Sequence, residues 1–447
     1  MSDLLAARLQ MGLSLGWHIV VACFGVGLPI LVLAAQRVGL RRDDPVATEL
    51  ARQWGRALLL LFGVGAVSGT ILSFEIGMLW PELLGEFGAI FGLPFALEAV
   101  AFFLEAIFLG LYLYSWERFP PRLHWWIGVP IPIAGIASAV FVVAANAWMH
   151  HPTGFDQAHW LATGELRDVD PWGALRSPAA LPMAIHMVLA AIMVTGFGVA
   201  AVYAVAMLRG RRDAYHRTAF RLAFGMAALA TPAQIASGDG LARFVAAHQP
   251  AKLAAMEALF ETERGAPLWI GGFVVEGDRV VLGVAIPHGL SLLAHRDWDA
   301  PVTGLDAFPR EDWPPVAIVH ASFQAMVGSG LFLLALSAAY AYGRVRRREW
   351  VFGRAFLWGA AAAGPLAAVA LEAGWITTEV GRQPWVVYET LRVGDAVTPA
   401  RGLSVGLALL VPVYVALTAG TVLGLRQLAR RRRNEGAGDA REGAATP

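Results

Sequence analysis

Histidines and carboxylates lie inside segments that are otherwise almost wholly apolar. His18 sits within the first such segment and His186 opens the fifth, while Glu98 and Glu105 share the third. Glu75 lies in the second, and Glu372 and Glu379 near the end of the eighth. A charged group at the centre of a bilayer costs ~2.5 kcal/mol or more, so ionisable residues in spanning segments are candidates for function by default. Glu98 and Glu105 are seven residues apart, which stacks them on one helix face ~10.5 Å apart along the axis. Two carboxylates on one stripe suit a proton relay better than packing. Imidazole is a good haem ligand, and burying His18 and His186 has little other use. The 11 methionines are mostly gap-filling side chains, and spacing alone singles out none as a ligand. His150 and His151 read as interfacial residues, and His320 is ambiguous.

Counting narrows the chemistry. Cys23 is the only cysteine, so an intrachain disulfide, a thiolate metal cluster and covalent haem attachment are all excluded. Cys23 itself lies in an apolar stretch and reads as packing. Haem–copper oxygen reduction needs more intramembrane histidines than the two or three on offer. A bis-histidine quinone reductase needs histidine pairs spaced by whole turns on two helices, and no segment has them.

The elements that must position these groups are helices in a membrane. Of 447 residues, 57% are hydrophobic and 15% charged, against about 25% charged in a soluble domain. The net charge of +1 gives no sign of nucleic-acid binding. Apolar runs of ~20 residues mark spanning helices, here at 11–36, 57–80, 91–115, 125–148, 181–207, 218–237, 316–341, 353–376 and 403–425. The expected fold class is therefore all-α: a polytopic integral membrane protein of about nine helices, forming one membrane domain over 1–433. Most of the 35 basic residues fall in alternate loops, including Arg346-Arg347-Arg348 and Arg430 to Arg433. The positive-inside rule then puts the N-terminus in the periplasm and the C-terminus in the cytoplasm. Met1-Ser2-Asp3 lacks a basic region, so no cleavable leader is expected. Segments 149–180 and 238–315 are too long to be simple connectors. The latter has apolar stretches at Leu253 to Phe260, Gly271 to Val275 and Val280 to Ile286, and should fold onto the outer membrane face. Residues 434–447 read as a disordered tail.

The end of the eighth segment carries a family likeness. Gly374-Trp375-Ile-Thr-Thr-Glu379-Val-Gly381-Arg382-Gln383-Pro384-Trp385 resembles the G-W-x-x-x-E-x-G-R-Q-P-W signature of cytochrome bd-type quinol oxidase, subunit I. Arg8-Leu9-Gln10 ahead of His18, the Glu98–Glu105 helix, Ala145-Asn146-Ala147-Trp148-Met149, the Gln249-to-Glu257 stretch and Phe323-to-Gly328 match in order. The likeness therefore runs from about residue 8 to 425. It implies a terminal oxidase of the bacterial inner membrane, with a periplasmic quinol loop of the short form. Such an enzyme oxidises ubiquinol or menaquinol, reduces dioxygen to water, and pairs with a second membrane subunit.

Residue by residue, the resemblance makes His186 and Met326 the axial pair of a low-spin haem b. Methionine–histidine ligation closes both faces and raises the potential. His18 and Glu379 match the ligands of two high-spin haems, a b and a d, or a third b in place of d; which residue takes which is left open. Arg382 and Trp375 would contact haem propionates and sit between haems, Lys252 and Glu257 would bind quinol, and Glu98 and Glu105 would carry protons from the cytoplasm. Quinol protons released outside and oxygen-reduction protons taken from inside make the reaction electrogenic without a pump. Lys252 is the only lysine in the chain, which favours a specific contact. Five residues apart on a helix, Lys252 and Glu257 point ~140° apart and so face different parts of a site. One departure stands out: Gln324 occupies the position where some members have arginine, two before Met326. A secondary transporter relaying protons through Glu98, Glu105 and His18 is the competing reading, but the inverted repeats and broken helices it needs are missing. A haem-free structural subunit is a third.

Overall fold

The computed structural model describes residues 1–275, 278–346 and 349–442. Arg347 and Arg348 of the predicted arginine cluster, and 443–447 of the predicted tail, lie outside the described residues. Long helices dominate: α1 (Asp3–Arg42), α2 (Pro45–Leu79), α3 (Pro81–Tyr114), a short α4 (Pro121–Gly128) leading into α5 (Pro130–His150), α6 (Ala180–Leu208) and α7 (Ala214–His248). After the loop helix α8 (Pro250–Glu257) and a hairpin of β1 (Leu268–Val275) and β2 (Arg279–Ile286) come α9 (Val316–Arg346), α10 (Arg354–Val380) and α11 (Leu403–Glu442).

Among the described residues, eight helices are long and apolar enough to cross a membrane. In a bilayer only closed hydrogen-bonding patterns such as helices satisfy the backbone, and these eight fit that demand. They match eight of the nine predicted segments. The remaining segment, 218–237, falls within α7, whose Arg217, Arg221, Gln234, Asp239 and Arg243 hold its hydropathy below that of the others.

Helices begin and end where the caps place them, beyond the apolar runs. Ser2 accepts from the Leu5 amide at the start of α1, and Asp44 accepts from Val46 and Ala47 ahead of Pro45 at the start of α2. Side-chain caps of this kind satisfy amides that no helical carbonyl can reach. Asp213 caps α7 in the same way. The predicted 125–148 segment breaks at Val129, because Pro130 has no amide to continue α4. α7 runs past the predicted end at 237 as far as His248, where Asp239 pairs with Arg243 at 3.0 Å and Arg296 at 2.8 Å. α11 continues through the described part of the predicted tail.

The core is built where α6 packs against α1, α7 and α10, and α3 against α5. Phe197, Phe220 and Phe224 are fully buried there, with Cys23 among them as packing. Small residues set the close approach: a Cβ on Gly364 would lie 2.7 Å from that of Ala201. Residues 238–315 form α8, which packs on α7 and α9, and the β1–β2 hairpin, whose β1 lies against α9. The apolar stretches predicted in this segment are those three elements. α11, in contrast, touches mainly α1 and α2.

Candidate functional site

The two histidines inside helices are held in the same manner. His18 Nδ1 lies 2.7 Å from Ser68 Oγ on α2. The Ser68 hydroxyl donates to the carbonyls of Val64 and Gly65, so its oxygen accepts from His18 Nδ1–H. His186 Nδ1 lies 3.0 Å from Ser237 Oγ on α7, and that hydroxyl donates to the carbonyl of Gln234. Both rings are thereby held as the Nδ1–H tautomer with the Nε2 lone pair turned elsewhere, the form in which histidine binds a metal. In each case a glycine follows the serine. A Cβ on Gly69 would lie 3.3 Å from His18 Cε1, and one on Gly238 would lie 3.3 Å from His186 Cε1. The Ser-Gly pairs leave the rings room and fix their orientation. At Nε2, His186 receives the Gln234 side-chain amide at 3.0 Å.

Met326 on α9 rests against α10 at Gly374, where a Cβ would stand 2.9 Å from its Sδ. Among the described residues no hydrogen bond joins Met326 to His186. Trp375, one residue on, lies against Gly16 of α1 together with Glu372.

Glu379, Arg382 and Lys252 are brought together at the end of α10. Arg382 donates to Glu379 Oε2 at 2.5 Å, and Asn146 donates to Glu379 Oε1 at 2.8 Å. His150 Nε2 stands 3.6 Å from the same Oε1. Lys252 Nζ donates to His150 Nδ1 at 3.0 Å, and Gln249 to the His150 carbonyl at 2.7 Å. His150 is 3% exposed, a buried link between α8 and α10. Arg382 is buried as well, yet its Nε and Nη1 have no partner among the described residues. A buried guanidinium with free donors is matched by a carboxylate or phosphate placed across its fork.

Glu257 ends α8 with Oε2 buried and without a partner among the described residues. Desolvation raises its pKa to about 8. Desolvation, then the nearby Arg382, lowers Lys252 to about 7. His320, fully buried, donates from Nδ1 to the carbonyl of Met256 at 2.8 Å, pinning the residue before Glu257. Glu98 and Glu105 both face α5. Ser138 donates to Glu98 at 3.2 Å, and Gly135 leaves space in which an added Cβ would meet Glu105 Oε1 at 3.2 Å.

Sequence reasoning missed Ser68, Ser237, His150, Asn146 and Gln249. The first two could have been sought as polar residues on neighbouring helices, but nothing in the sequence pairs them with their histidines. Asn146 and Gln249 lie within stretches already matched for their order, and His150 follows directly after one of them.

A flat macrocycle with anionic edges needs imidazole nitrogens with a lone pair to offer, clearance beside the rings and buried donors for its carboxylates. His18, His186, Gly69, Gly238 and Arg382 meet those needs. Comparison with known proteins points the same way. A family profile described as cytochrome bd terminal oxidase subunit I matches residues 6–433. A Bacillus subtilis (strain 168) chain assigned as a cytochrome bd menaquinol oxidase subunit I is 36% identical over 94% of this chain and 95% of its own length. A cytochrome bd ubiquinol oxidase subunit 1 of the same organism is 28% identical, over 89% of this chain and 87% of its own. The solved structure of bd oxidase from Geobacillus thermodenitrificans superposes with a TM-score of 0.90 at 36% identity, covering 96% of this chain and 98% of that one. A match that runs nearly end to end in both sequence and backbone leaves one conclusion: the chain belongs to the cytochrome bd terminal oxidase subunit I family.

Proposed function

We propose that this chain is the haem-bearing subunit that oxidises quinol at the end of the membrane where α8 lies, and reduces dioxygen with protons drawn from the opposite side. The observation that carries the reading is the buried chain from Lys252 through His150 to Glu379, which joins the 238–315 loop to the proposed haem ligand. His186 and Met326 would hold a low-spin haem b. His18 and Glu379 would each hold one high-spin haem, a b and either a d or another b. Bound haem iron supplies the one-electron steps from quinol and the reduction of dioxygen.

The chain's own groups do the rest. Ser68 and Ser237 orient the imidazoles. Arg382 uses its unpartnered nitrogens to hold a propionate, and Trp375 packs between α10 and α1. Lys252 donates a hydrogen bond to a quinol oxygen. Glu257, with a pKa of about 8, accepts a quinol proton when ionised; a pKa near the working pH suits a group that must take up and release protons. Glu105 and Glu98, on one face of α3, pass protons along α5 towards the site of oxygen reduction. Releasing protons on one side and taking them from the other makes the reaction electrogenic. The arginine distribution supports an N-terminus outside and a C-terminus inside. The quinol would be ubiquinol or menaquinol. A second membrane subunit would cover α11, whose Val405, Leu409 and Val415 are more than 60% exposed.

The deciding experiment compares two donors. Lys252→Ala should slow quinol-driven oxygen consumption while leaving oxygen reduction from an artificial electron donor intact. Equal loss with both donors would end the assignment of the loop to quinol.

A further inference from the structure

The β1–β2 hairpin has little of its own to hold it in place. Ile270, Phe273, Leu282 and Val284 are 55%, 61%, 87% and 66% exposed, and a lone two-stranded hairpin is at best marginally stable in water. Its base is anchored by Leu268, which packs on the Leu253, Leu259 and Leu290 cluster. Beyond that point Arg310 pairs with Asp278 at the turn, and β1 lies against α9, where Gln324 supplies the hydrogen bonds.

Gln324 uses both halves of its amide on the β1 backbone. Its Nε2 donates to the Trp269 carbonyl at 2.9 Å, and its Oε1 accepts from the Gly271 amide at 2.8 Å. Those two groups flank Ile270 and point to the same open edge of the strand. A residue of a parallel neighbouring strand would make the same pair of bonds, so the glutamine stands in for a third strand. The Gly271 φ of +66°, which side chains rarely adopt, falls at the residue whose amide is received. An arginine here could donate to Trp269 but could not accept from Gly271.

We propose that Gln324 is a positioning residue that latches the hairpin of the outer loop to the helix carrying Met326. Gln324 and Met326 are about 200° apart around α9. The latch therefore grips the side of the helix away from Met326 and holds the outer end of α9 in rotation. On the adjoining surface Val319 and Phe323 pack with Ala255 and Met256 of α8, so both halves of the loop are fastened to one helix. The functional part of this inference rests on the reading of Met326 as a haem ligand and of residues 238–315 as the quinol loop.

Hydrogen exchange on the purified holoenzyme tests the latch directly. In Gln324→Leu, exchange across 268–275 should quicken by at least about tenfold, the factor set by ~1.4 kcal/mol. Gln324→Glu, which keeps the acceptor for Gly271 and loses the donor to Trp269, should fall between Gln324→Leu and the native chain. The KM for quinol should rise by a larger factor than kcat falls, and the low-spin visible band should shift without loss of haem. Unchanged exchange in a Gln324→Leu variant that retains its haem overturns the latch. Faster exchange with an unmoved KM and an unmoved band keeps the latch and removes the reading of this loop as the quinol site.

Discussion

Behind each intramembrane histidine stands a serine whose hydroxyl is directed to its own helix, so that its oxygen can only accept. This sets the tautomer on two separate helix pairs and leaves each Nε2 as an acceptor, which at His186 takes the Gln234 amide. Metal-binding histidines fixed in this way lose about 10–100-fold in affinity when the outer partner is removed. Ser237→Ala should therefore lower low-spin haem occupancy of the purified enzyme by about that factor under competition with an apo-haem protein, and full retention would deny Ser237 the role. Met326→Leu is the sharper test of the ligand itself. A branched hydrocarbon of similar volume keeps the packing at Gly374 but has no sulfur, so the low-spin band should vanish while haem remains at the other two sites. An unaltered spectrum would remove Met326 from the ligand set. The residue types and their intramembrane placement were legible from the sequence for His18, His186, Glu98 and Glu105. Met326 was not, because a methionine among 11 has no spacing signal, and it entered only through the family motif.

At the scale of elements, α8 would carry the chemistry of the loop in the proposed function. It is short, yet all but the first of its residues are buried, which is why Lys252 and Glu257 titrate near neutrality. Burial raises Glu257, so the carboxylate that can accept a proton is scarce below about pH 8 and dominant above it. Quinol oxidation should accordingly climb as pH rises through that value, and Glu257→Gln should flatten the climb while lowering the rate by ~10²-fold or more. A climb that persists in Glu257→Gln would assign it to another group. The apolar runs within 238–315 were legible as folded structure. Their resolution into one helix and a hairpin was not, since short apolar runs do not distinguish strand from helix. Helix ends were also misplaced, because hydropathy marks what sits in lipid while caps such as Asp44 and Asp213 decide where the helix stops.

Across the whole molecule, the proposed function requires two proton events to be kept on opposite sides. α3 presents Glu98 and Glu105 to α5, and the second of them lies where Gly135 leaves room beside the carboxylate. The loop groups Lys252 and Glu257 belong to another region, tied to α10 through His150. Both regions border α5, but among the described residues no side chain hydrogen-bonds to both, so blocking one should leave the other working. Glu105→Gln should permit rapid haem reduction by quinol in a single anaerobic turnover, because that step uses only the loop. Steady oxygen consumption should fall by ~10²-fold or more, as expected when a group that transfers protons is lost. In oriented vesicles the membrane potential formed per turnover should fall with it, since protons that cannot enter from the far side must come from the near one. If haem reduction by quinol slows as much as oxygen consumption, the two regions are coupled, and the separation on which electrogenic turnover depends is not built as proposed.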